Sequence, residues 1–182
     1  MYPEDKIAMQ ILEEHNCPRH IREHSIRVAQ VGVFIAQNLS QAVKLDVNFV
    51  RSACLLHDVM KMPCIKKDCN HAEEGAMLME RLGFPELGAT IRQHVYLEDP
   101  YGHEYPITAA HLLNYADKRV RHSTIVTLHE RFEYLFERYG VTENRLKRLQ
   151  QLLDETLFLE EVIFSRCEFS PEKILELNIN SL

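Results

Sequence analysis

The chain has 182 residues, 46% of them apolar and 26% charged, with a formal net charge of −6. That length suits one domain with a sizeable core, and an acidic balance with scattered Lys and Arg excludes a general nucleic-acid binder, which needs a basic face. No apolar run approaches the ~20 residues of a membrane-spanning helix, and the acidic start Met1-Tyr2-Pro3-Glu4-Asp5-Lys6 lacks an apolar signal core, so no membrane partner and a cytoplasmic location are expected.

Nearly every segment has helical rather than alternating periodicity. Pro3 opens a short helix with Ile7, Ile11 and Leu12 on one face, broken at Asn16-Cys17-Pro18. A longer helix runs from about Arg19 to Leu39, with the stripe Ile21, His24, Val28, Val31 and Ile35. Those spacings of three and four face a core. His24 therefore sits on a buried stripe, where a polar side chain needs a partner. A core imidazole bonded to a backbone carbonyl is the plain alternative to a ligand.

Asp46 reads as the N-cap of a third helix that ends on His57-Asp58. Residues 61–69 read as a loop broken by Pro63, carrying Cys64 and Cys69 as free thiols. Five cysteines at irregular spacing argue against a disulfide framework. Asn70 caps the next helix with Glu73 three residues on, as in a capping box, and Gly83 ends it. His71 falls in its first turn. Pro85 opens a helix with the stripe Leu87, Ile91, His94; a loop from Leu97 to Pro106 carries His103; and a helix from Ile107 to about Val120 turns Asp117 inward. An inward carboxylate needs a cation. A further helix runs from Ile125 to Gly140, another from Thr142 to about Phe164, and Ser170-Pro171 starts a short last one. The fold expected is all-α, one compact domain of about eight to nine helices.

Ten histidines are the one compositional oddity. His24, His57, Asp58, His71, His94 and Asp117 all occupy core-facing or helix-end positions on successive helices. A helical domain can bring such residues to one point. Imidazole with carboxylate suits Fe, Mn, Co, Ni or Zn, one or two ions, with Mg also admissible. Asp58, next to a ligating His, is the candidate bridge. A rival grouping, Cys64, Cys69 and His71, offers thiolates for a structural zinc but no evident fourth ligand.

The segments Glu23-His24-Ser25-Ile26-Arg27-Val28-Ala29, Leu55-Leu56-His57-Asp58-Val59-Met60-Lys61, His71-Ala72-Glu73-Glu74-Gly75-Ala76, Ile91-Arg92-Gln93-His94 and Tyr115-Ala116-Asp117-Lys118 together resemble the HD superfamily of metal-dependent phosphohydrolases. The extra His71 and His94 resemble its subset with two metals. The likeness spans roughly residues 20–122. One departure is Val59-Met60, where the family often has Ile-Gly; it removes no ligand. The resemblance implies hydrolysis of a phosphoester or phosphoanhydride in a nucleotide-like or other small phosphorylated substrate. Asp58 and Lys61 are then the candidate catalytic residues, and Lys61, Lys118, Arg119 and His103 the candidates for holding substrate. The helices beyond residue 122 are read as packing elements or a homodimer contact. A non-catalytic sensor on the same scaffold and a di-iron oxygenase are the alternatives.

Overall fold

Among the residues described by a computed structural model of the protein (1–40, 43–100 and 107–178), nine α-helices follow one another with one small hairpin. The helices are α1 (Asp5–Glu14), α2 (Arg19–Asn38), α3 (Val47–Leu56), α4 (Lys61–Lys67), α5 (His71–Arg81), α6 (Pro85–Arg92), α7 (Ala109–Lys118), α8 (Leu128–Tyr139) and α9 (Glu143–Phe164). A 3₁₀ helix, Pro171–Asn178, closes the described chain. The all-α expectation holds. No helix of the described residues is long and apolar enough to cross a membrane.

The longer helices form where local signals demand them. Asp46 accepts from the amides of Asn48 and Phe49 and so starts α3. Asn70 does the same for α5 through Ala72 and Glu73. The expected capping box there does not close: Glu73 turns instead to Arg92 at 2.8 Å, tying α5 to α6. Gly83, at φ 87°, takes the left-handed turn after α5. The chain then doubles back, and α6 lies against α5 so closely that a Cβ on Gly88 would sit 2.7 Å from the Ala76 carbonyl oxygen. Helix α2 packs on α3 and α7 through Val28, Val31 and Ile35, buried with Val50, Ala53, Leu113 and Ala116.

Three local expectations are corrected. Residues 61–67 are helical; Pro63 is the third residue of α4, where an amide has no intrahelical acceptor to lose. Cys64 and Cys69 are joined as a disulfide across the end of that helix, not free. That pairing also removes both thiols from any zinc site. Between α7 and α8, Val120–Arg121 and Thr124–Ile125 pair antiparallel around His122 at φ 55°, so Ile125 is a strand residue and not the start of a helix. His103 lies outside the described residues.

Candidate metal centre

The six nominated ligands come together. His24 is buried on the inner stripe of α2. His57 and Asp58 sit in the turn after α3, both buried. His71 is the first residue of α5, His94 lies just past α6, and Asp117 is in the last turn of α7. The same local device aims two of the rings. A helix leaves its last four carbonyls without amide partners. His57 Nδ1 meets the Cys54 carbonyl at 2.8 Å, and His94 Nδ1 meets the Ile91 carbonyl at 2.8 Å, each three residues back at a helix end. His24 Nδ1 meets the His122 carbonyl of the hairpin turn at 2.9 Å. A carbonyl only accepts, so each Nδ1 carries a proton and each Nε2 faces inward, where it is the atom free to ligate.

Asp58 is the hub. Its Oδ2 lies 3.4 Å from His57 Nε2, 4.0 Å from His24 Nε2 and 2.6 Å from Lys61 Nζ. Its Oδ1 faces the other way, 3.3 Å from His71 Nε2 and 3.6 Å from His94 Nε2. Asp117 Oδ1 is 2.9 Å from His24 Nε2 and 3.6 Å from His57 Nε2. Two triads result, His24–His57–Asp58 and Asp58–His71–His94, each with its ligand atoms within 4.8 Å of one another.

The residues fit a divalent cation. His57 Nε2 and Asp58 Oδ1 are buried without any hydrogen-bond partner, a costly state for polar atoms. His71 Nε2 and His94 Nε2 stand 3.1 Å apart, and two lone pairs that close repel unless a proton or a metal intervenes. Burial disfavours charge on His57, yet the Asp58 and Asp117 carboxylates outweigh it and push the ring up to about 10. Burial would likewise raise both carboxyls. His57 and Lys61 nonetheless hold Asp58 well below the usual range, and His24 and His57 do the same for Asp117. The cluster is therefore built around positive charge. Its mixture of imidazole nitrogen and carboxylate oxygen suits transition metals; Mg, which prefers oxygen, is the poorest match among the candidates.

A cavity of about 530 Å³ opens over Asp58, His71, His94 and Asp117. Lys61 and Arg131 also line a smaller hollow over His24 and His122. Of the cations nominated for substrate, Lys61 and Lys118 both line this cavity. Lys118 already has partners there. Its ammonium bonds the carbonyls of His94 and Asn114 at 3.2 Å and Asn114 Oδ1 at 2.9 Å. Burial, opposed by Asp117, brings it down to about 8. Its ammonium holds the His94 turn against α7. Arg119 is a correction. Two residues past Asp117 on a helix is ~200° around the axis, so it points to the opposite side. There it meets Glu160 at 3.3 Å, the Val126 carbonyl at 2.7 Å, the Pro171 carbonyl at 3.2 Å and the Tyr115 hydroxyl.

Sequence reasoning missed Arg131, Arg145 and Arg148, which reach this cavity from α8 and α9. One signal was available: Arg145 and Arg148 are three apart with no acidic residue at i±3 or i±4. The HD domain family model matches residues 21–122, more than half of the chain and the stretch that carries all six candidate ligands. No curated protein and no solved structure matches the chain significantly.

Proposed function

The chain belongs to the HD domain family, and from that premise we propose that it is a metal-dependent phosphohydrolase, cleaving a phosphoester or phosphoanhydride in a small phosphorylated substrate. The observation that carries this reading is the placement of Asp58, with one oxygen toward His24 and His57 and the other toward His71 and His94. A carboxylate so shared is suited to a pair of ions. When bound, divalent ions at such a site lower the pKa of water to ~7 and neutralise charge on phosphoryl oxygens.

The chain's own residues supply the rest. His24, His57 and Asp117 would hold one ion, His71 and His94 the other, with Asp58 between. The backbone carbonyls of Cys54, Ile91 and His122 keep the rings turned inward, so little reorganisation is needed when ligands bind. Lys61, at 2.6 Å from Asp58 Oδ2 and lining the cavity, keeps its proton because Asp58 outweighs the cost of burial. Its ammonium orients Asp58 and presents a fixed positive charge to a phosphoryl oxygen.

The test is phosphate release from a panel of nucleotides and simple phosphoesters with manganese, cobalt or iron added, using Asp58→Ala as the inactive control. Release by the wild type alone supports hydrolysis. No release with any metal would sink it in favour of a binding module, and oxygen uptake by iron-loaded protein would point to oxidative chemistry.

A further inference from the structure

Some arginines of this chain are matched: Arg19 with Glu23, Arg92 with Glu73, Arg119 with Glu160. Arg131, Arg145 and Arg148 are not, and they share one place. All three line the cavity above the metal ligands, and none forms an ion pair among the described residues. Arg131 Nε is buried without a hydrogen-bond partner, and its guanidinium lies 5.9 Å from the Tyr134 ring. Arg145 and Arg148 are three apart on one face of α9. Like charges at that spacing destabilise a helix. In a chain with 27 acidic residues against 21 basic ones, three unmatched cations facing one cavity call for an anion from outside.

We propose that Arg145 and Arg148, with Arg131 in the same cavity, bind a second phosphoryl group of the substrate. The protein then selects elongated molecules with two or more phosphates over simple phosphomonoesters. This rests on the hydrolytic reading for what happens at the floor, but the subsite itself is a matter of binding. The terminal phosphate sits over Asp58, Lys61 and the histidines. The more distant phosphate meets the guanidinium groups, which grip phosphate oxygens in pairs. Leu149 and Leu152 line the cavity beside the arginines, and the two α9 arginines stand exposed at its surface. The two α9 arginines lie outside residues 21–122, so this selectivity belongs to the part of the chain that the family match leaves uncovered.

The experiment titrates the full chain, stripped with chelator and desalted, with inorganic tripolyphosphate and with orthophosphate at low salt, followed by calorimetry. Wild type should bind tripolyphosphate at least about tenfold more tightly, the factor expected from one or two charge-assisted contacts. Arg145→Gln/Arg148→Gln should abolish that preference, leaving orthophosphate binding and the circular-dichroism helix signal unchanged. Arg51→Gln, which removes a cation paired with Asp5 elsewhere on the surface, should keep it. Equal affinity for the two anions in wild type, or equal losses in the Arg51 and Arg145/Arg148 variants, overturns the subsite. Selectivity without turnover of any phosphoester supports it and counts against the hydrolytic reading. Turnover without selectivity overturns the subsite alone.

Discussion

Replacing Asp58 by Asn keeps the volume and removes one negative charge from the point where both triads meet. Two carboxylates serve the cluster, Asp58 and Asp117, so the change halves its anionic charge and weakens both ion positions together. A metal present at 100 times its dissociation constant stabilises the folded chain by about 2.7 kcal/mol. For a chain of this size each kcal/mol moves Tm by ~2–4 °C, so metal should raise the wild-type Tm by roughly 5–10 °C. In Asp58→Asn the rise should fall below about 2 °C. Metal content by elemental analysis should drop with it. The metal-free proteins should differ in their pH response too. His57 has a raised folded value, about 10, against ~6.5 unfolded. Its contribution is therefore fully present below pH ~6.5 and is lost as pH rises toward 10. Chelated wild type should lose stability across that window, and Asp58→Asn should lose less, because only Asp117 remains to hold the proton. Unchanged metal content together with an unchanged metal-dependent rise in Tm would refute the shared-ligand geometry.

Three other changes probe the frame around the site. Arg119→Met leaves the Val126 and Pro171 carbonyls without their donor and takes the guanidinium from Glu160, which keeps only the Tyr115 hydroxyl. Breaking a buried charge pair costs ~3–5 kcal/mol, so Tm should fall by roughly 6–20 °C with metal content intact; a loss of metal instead would mean that Arg119 serves the centre. Gly88→Ala adds a Cβ 2.7 Å from the Ala76 carbonyl oxygen, and the ~1–3 kcal/mol of overpacking should exceed the ~0.5–1 kcal/mol gained from helix propensity. Its urea midpoint should drop, and a higher midpoint would show that α5 and α6 are not packed this closely. Alkylation of the denatured, unreduced protein should label three thiols, Cys17, Cys54 and Cys167, and all five after reduction. Five labels before reduction would contradict the Cys64–Cys69 link.

The reading of Pro63 shows how a correct local rule can mislead. Proline ends a helix it enters from the middle, but at the third position it forfeits nothing, and α4 begins two residues earlier, at Lys61. The hairpin at 120–125 is too short for any period to register. Lys118 and Arg119 stand beside a ligand in sequence, yet helix geometry sends one under the His94 turn and the other toward α9.

What the sequence determined by itself was whatever depends on near neighbours. Asp46, Asn70 and Gly83 start or stop helices through contacts within a few residues. The stripe through His24 marks an inward face, and His57-Asp58 marks a helix end. Each of the six candidate ligands could be nominated because each is anomalous in its own surroundings. Only the tertiary structure decided which charges are already satisfied. Lys118 and Arg119 find acceptors 24 and 41 residues away, while Arg131, Arg145 and Arg148 form no ion pair among the described residues and line the cavity. A side chain's chemistry is written in the sequence. Its unpaired state is a property of every element packed against it, and no local pattern carries that.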